Sequence, residues 1–116
     1  MAEITTQAYQ AIGNYIQQNW KYIELRDDVG NAIVRLSPSD SRVKWIHNLG
    51  DQVLKLQIIV KGSDTDITKP KTFASSAIYD VATGGQPYSV ETFSPFTIES
   101  DQDELTVIHE IQVPKV

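Results

Sequence analysis

A chain of 116 residues with 41% hydrophobic, 22% charged and 9% aromatic side chains has the make-up of one globular domain with material for one core, and its aromatic share argues against disorder. The absence of cysteine excludes disulfides, thiolate catalysis and Cys-based zinc sites, and it fits a reducing cytosol. The net charge of −5 sits in the second half, where residues 63–116 hold nine acids and three bases against six acids and seven bases in residues 1–62; such a surface repels phosphate backbones, so no nucleic-acid partner is expected.

Residues 1–20 have no basic start and no continuous apolar run, so no signal peptide is expected. No apolar run approaches the roughly 20 residues that span a bilayer, the longest being at Gln57-Ile58-Ile59-Val60, so no membrane partner is expected and synthesis in the cytoplasm is.

Residues 5–20 carry no charged side chain and predict one amphipathic helix. Tyr9, Ile12, Ile16 and Trp20 share a stripe that Ala8, Ala11 and Tyr15 widen. Thr5 or Thr6 supplies a capping hydroxyl. Gly13 costs about 1 kcal/mol against Ala inside a helix and allows close approach to another backbone. The opposite face holds Gln7, Gln10, Asn14, Gln17 and Gln18. A neutral amide face in place of the usual Glu and Lys suits contact with another subunit, and Gln10, Asn14 and Gln17 are its candidate contacts. A plain surface helix laid on a sheet is the alternative.

Beyond Lys21 the chain alternates apolar and polar residues at the period of strands. Tyr22 to Arg26 and Ala32 to Leu36 predict a hairpin across residues 27–31, where Gly30 and Asn31 accept positive φ. Val43 to His47 predict a third strand, with Val43, Trp45 and His47 on one face. A turn at Asn48-Leu49-Gly50-Asp51 leads into the strongest strand, Gln52 to Lys61, with Leu54, Leu56, Ile58 and Val60 facing one way. After a polar loop, Thr72 to Val81 predict a strand with Phe73, Ser75, Ala77, Tyr79 and Val81 on one face and Ala74, Ser76 and Ile78 on the other. Tyr88 to Phe93 reads equally as an edge strand or an ordered loop. Phe96 to Glu99 and Leu105 to Val113 predict a hairpin across residues 100–103, ended by Pro114, with Leu105, Val107, His109, Ile111 and Val113 on one face. Lys115 and Val116 leave only a short tail.

The fold class expected is α+β and mostly β: a single domain over residues 1–116, with an N-terminal helix at 5–20 and about seven antiparallel strands within 21–114. These strands form a small sandwich or partly closed barrel, with the helix at an end or edge.

Few residues suggest chemistry. His47 and His109 both fall on inward faces, where a satisfied core histidine is commoner than a metal ligand. Asp64-Thr65-Asp66 alternates carboxylates as calcium loops do, yet no glutamate closes a twelve-residue loop. Asp101, Asp103 and Glu104 crowd a hairpin tip, as soluble tips commonly do. Ala74-Ser75-Ser76-Ala77 lies mid-strand, where a nucleophile is poorly exposed, and no Gly-x-Ser-x-Gly elbow occurs. Thr83-Gly84-Gly85 precedes no helix, so it is no phosphate loop. No catalytic residue, cofactor site or metal site is therefore expected. Most rings belong to a core; Tyr88 and Phe93, in an irregular Pro-flanked stretch, are the candidate exposed contacts.

The stretches Ile23-Glu24-Leu25-Arg26-Asp27-Asp28-Val29-Gly30-Asn31, Phe73-Ala74-Ser75-Ser76-Ala77-Ile78-Tyr79 and Glu91-Thr92-Phe93-Ser94-Pro95-Phe96-Thr97-Ile98-Glu99 resemble segments of small prophage-encoded proteins of Gram-positive bacteria. The resemblance is one of texture over most of the chain and carries no site residues. It implies a virion component or assembly factor of the tail, baseplate or neck, β-rich and oligomeric, with protein partners that are further copies or other virion proteins. The sequence thus points to a non-enzymatic interaction module. A small-ligand or carbohydrate-binding domain, including a host-surface adhesin, is the alternative, and a small enzyme the second alternative.

Overall fold

The computed structural model describes residues 2–48 and 51–113. It contains a helix α1 (Thr6–Asn19) and seven strands: β1 (Tyr22–Arg26), β2 (Ala32–Leu36), β3 (Val43–Trp45), β4 (Val53–Lys61), β5 (Lys71–Tyr79), β6 (Ser89–Ile98) and β7 (Glu104–Gln112). The strands form two antiparallel sheets, ordered β2-β1-β5-β6 and β3-β4-β7. The architecture is α+β, mostly β, in two open layers and not a closed barrel. Leu49, Gly50, Pro114, Lys115 and Val116, on which a turn, a strand stop and a short tail were expected, lie outside the described residues.

The core fills the space between the layers. Ile23 and Leu25 of β1, Leu54, Leu56, Ile58 and Val60 of β4, and Val107 and Ile111 of β7 are buried, as strict alternation requires. Phe73, Ile78 and Ile98 complete it from the other sheet.

β5 departs from simple alternation. Its register against β6 shifts between Phe73 and Ser75. Across that shift a step of two residues on β5 stands against four on β6, and Phe73 lies with Ile78 inside the core. Ala77 and Tyr79 keep the opposite face, so Phe73 does not share their side as the alternation predicted.

β6 is one ten-residue strand that includes both the ambiguous stretch and Phe96–Ile98. Pro95 sits within it, which an edge strand tolerates because the missing N–H faces no partner. β6 pairs with β5 and β7 pairs with β4, so the predicted hairpin across 100–103 is instead a step from one sheet to the other. The five-residue polar connection, residues 99–103, can fold back or cross the roughly 10 Å between layers, and the choice lies with the partner strands. The turn packs on Gly62, whose amide donates to Asp103 O at 2.9 Å. A Cβ on Gly62 would stand 1.8 Å from the carbonyl oxygen of Ser100, so only glycine fits there.

Thr5 is the cap of α1, accepting from the amide of Ala8 at 3.2 Å. The helix lies across one end of the sandwich, with Gly13 and Ile16 buried. A Cβ on Gly13 would touch Leu54 Cδ2 at an ordinary 3.7 Å, so the close approach is to a side chain and leaves room for a methyl. The buried stripe is narrower than predicted: Ile12 is 41% exposed and Tyr15 62%, because one helix covering the end of two sheets turns only one side inward. At the first hairpin, Gly30 has φ of 86° while among the described residues no non-glycine has positive φ, and Asp27 accepts from the amides of Val29 and Asn31.

Candidate functional site

The two histidines are separated by their roles. Beyond β3 the chain leaves the sheet, and His47 Nδ1 accepts from the amide of Lys55 at 3.0 Å while Nε2 donates to Gln17 Oε1 at 2.9 Å. These bonds fix the neutral Nε2–H tautomer and tie α1 to β4. Trp45 meets the ring edge-on, with centroids 5.3 Å apart.

His109 is fully buried between the sheets. Its Nδ1 lies 2.6 Å from Ser76 Oγ on β5, and its Nε2 lies 2.8 Å from Ser89 Oγ on β6. Burial lowers its pKa to about 4, so the ring is neutral near pH 7. A serine on Nε2 has the outline of a nucleophile and its base. The second partner, however, is the hydroxyl of Ser76, which offers no negative charge to stabilise an imidazolium. The arrangement does suit a polar clasp that sets one sheet against the other.

Asp64 and Asp66 do approach each other, together with Asp40, and the guanidinium of Arg42 fills the space between them. Arg42 bonds Asp40 Oδ2 at 2.9 Å, Asp66 Oδ2 at 2.8 Å and Asp64 Oδ2 at 3.1 Å. Those bonds hold the Asp40 and Asp66 carboxyls below the usual range and raise the Arg42 pKa. Nothing in the acidic run itself announces Arg42, which arrives from the far side of β4.

A second charged cluster was also hidden from sequence reasoning. Glu24 is buried on the outer face of β1, because that strand is central and both its faces are covered. It accepts from Arg26 at 2.9 Å, Arg35 at 3.1 Å and the Tyr79 hydroxyl at 3.1 Å. Burial pushes the Glu24 carboxyl up, and the three bonds together outweigh burial and hold it below its ordinary value. Arg35 also lies 3.5 Å over the Tyr79 ring and donates to the carbonyls of Val81 and Gly84, latching the loop after β5. The one available signal is a lone glutamate in an apolar strand opposite an arginine.

The acids near the β6–β7 connection are occupied locally. Asp103 accepts from the amides of Glu99 and Ser100, which lowers its pKa, and Asp101 pairs with Lys69. Among the described residues no three His, Asp or Glu side chains are arranged to hold a metal ion, and no helix is long and apolar enough to cross a membrane.

The remaining feature is the open side of the sandwich, where the free edges of β6 and β7 run together without backbone pairing. Side chains lace this seam. Ser89 of β6 reaches His109, and Glu91 Oε2 accepts from the backbone amide of Glu110 at 3.1 Å. At the helix end the seam opens into a groove of about 420 Å³ between Ile12, Ile16, Trp20, Tyr88, Ile111 and Val113. Trp20 and Tyr88 stand with ring centroids 5.1 Å apart, and the Tyr88 hydroxyl donates to Asp80. Farther along, a second depression of about 190 Å³ lies between Glu91, Thr92, Phe93, Thr106, Val107 and Ile108. Of the apolar side chains lining these hollows, Tyr88 is 50% exposed and Ile12 and Ile108 are 41% each; Tyr15 of α1, at 62%, and Val90 of β6, at 52%, are exposed on the same two elements.

The sequence-derived contacts divide accordingly. Tyr88 is exposed on the groove, whereas Phe93 is half-buried and packs against the core. Gln10 and Asn14 are exposed beside a crevice too small for a ligand, about 10 Å³ in volume, and Gln17 commits its side-chain oxygen to His47. Sequence reasoning missed the seam, because Ile12 and Tyr15 read as core and the edge status of β7 depends on which strands pair. No family model, curated protein or solved structure matches the chain.

Proposed function

We propose that this chain is a non-catalytic protein-interaction module that assembles through its open side. The observation that carries the reading is the exposure of Ile12, Tyr88 and Ile108 on two hollows beside an unpaired strand edge, with Tyr15 and Val90 exposed on the same helix and strand. Exposed apolar groups lining hollows mark contact surfaces, and rings such as Tyr88 commonly anchor them. The resemblance to prophage tail, baseplate and neck proteins gives the reading a setting as a virion component or assembly factor. The partners are then other virion proteins or further copies.

Photo-crosslinking tests this. A photo-reactive phenylalanine analogue at Tyr15 or at Val90 is expected to form adducts with one discrete polypeptide, identified by mass, that the same analogue at exposed Thr68 does not capture. Absence of adducts, or equal capture from Thr68, overturns the reading. The exposed Tyr88 ring against Trp20 also offers a stacking surface for a sugar. Thermal stabilisation by a panel of saccharides, lost in Tyr88→Ala, would favour that second reading.

A further inference from the structure

We propose that the free edge of β7 receives one extended segment of a partner protein, bearing lysine or arginine, as an added strand. The proposal rests on the interaction-module reading and names its partner chemistry.

The backbone sets the polarity of the edge. Lys55 spends its carbonyl on the amide of Ile46 and its amide on His47, both on the β3 side of β4. Its cross-strand neighbour Glu110 therefore turns its own amide away from β4. That amide donates to the Glu91 carboxylate, which stands where the carbonyl of a further strand would stand. By the two-residue period, Thr106, Ile108 and Gln112 also point their backbone groups outward.

β6 is the poorer template, because Pro95 removes a donor from it. No proline interrupts β7 between Glu104 and Gln112. The two hollows follow this edge from Thr106 to Val113, about 25 Å at roughly 3.3 Å per residue, and the Glu91–Glu110 contact is the bar between them. Such an edge, with pockets for alternate side chains, is the usual arrangement for strand addition.

Charge selects the occupant. Among the described residues, the charged side chains lining the two hollows are Glu91 and Glu110. From Thr72 to Val113 the chain has seven acids and neither lysine nor arginine. Lys55, the cross-strand neighbour of Glu110, lies one strand inward on β4. Two copies joined edge to edge about a two-fold axis would gather four of these glutamates along one seam, so a second copy is the worse fit. A segment alternating apolar and basic residues takes the Glu110 amide over from the Glu91 carboxylate, pairs with the edge, fills the hollows and neutralises the acids.

The test uses the isotopically labelled full chain and two capped peptides of strand length, one alternating valine with lysine and one alternating valine with glutamate. The lysine peptide is expected to shift the amide resonances of Thr106, Ile108, Glu110 and Gln112, to bind more weakly as salt is raised, and to lose roughly tenfold in affinity in Glu110→Lys. The milder Glu110→Gln, with a folded spectrum, is expected to weaken binding in the same direction. The proposal fails if the lysine peptide leaves these amides unmoved, if the glutamate peptide binds equally well, or if dilution shows the edge already occupied by a second copy. If the peptides fail while adducts still form from positions 15 and 90, the interaction module stands and its basic-strand partner falls; if both fail, both fall.

Discussion

Ser76 of β5 and His109 of β7 meet across the interior of the sandwich at 2.6 Å, a polar contact set among the hydrocarbon side chains of the core. Ser89 holds the other ring nitrogen at 2.8 Å, so the imidazole bridges three strands. Because the ring is buried, the folded chain resists protonating it, whereas the unfolded chain takes up a proton near pH 6.5. Stability is therefore fully present above about pH 6.5 and is lost as the pH falls toward about 4, at up to about 1.4 kcal/mol per pH unit. Urea unfolding across this window should show that slope. His109→Gln should lower stability and flatten the slope; an unchanged slope in the variant would remove His109 as its source.

Arg42→Ala should destabilise the corner formed by Asp40, Asp64 and Asp66. The carboxylates would be left facing one another, and the half-exposed site limits the loss to about 1–2 kcal/mol at pH 7. A lower urea midpoint with an unchanged denaturant slope is the expected result. Because the Asp40 and Asp66 carboxyls are held low in the fold, their contribution is present near neutrality and disappears in acid below their unfolded range, so the deficit of the variant should shrink there.

Gly62→Ala should be far more damaging than an exposed turn glycine would suggest. The added methyl would meet the backbone of Ser100 and Asp101, which cannot rotate away. A loss of about 2–4 kcal/mol is expected, read as a fall in thermal midpoint. A midpoint equal to that of the parent would mean that the β6–β7 connection does not seat on Gly62.

Gly13→Ala should act in the opposite direction. The new methyl has ordinary contact with Leu54 and a standard helical environment, so a gain of up to about 1 kcal/mol is expected from helix propensity. Calorimetry would detect it, and a destabilised variant would show that α1 lies closer to β4 than 3.7 Å allows.

The layered architecture was legible where local rules decide. β4 and β7 alternate without interruption, and their buried faces follow the written pattern residue by residue. Thr5 and the uncharged run to Trp20 mark α1 to within one residue. Legibility stops where distant partners decide. The side occupied by Phe73 depends on a bulge that only pairing with β6 produces. Residues 100–103 join two strands whether those strands pair or part, so the cross-sheet step left no local trace. The candidate site suffers most, since an open edge is defined by the strand that is missing beside it, and Ile12 and Tyr15 have the composition of core.

Arg42 carries a further consequence. A corner that drew three acids together around a free ion would loosen whenever dialysis, chelators or a change of compartment removed that ion. Here the compensating cation is covalently tethered to the polypeptide and cannot be washed out. The loop therefore keeps its shape without drawing on dissolved divalent metal, an advantage for any component that must hold together after dilution out of the cell that made it.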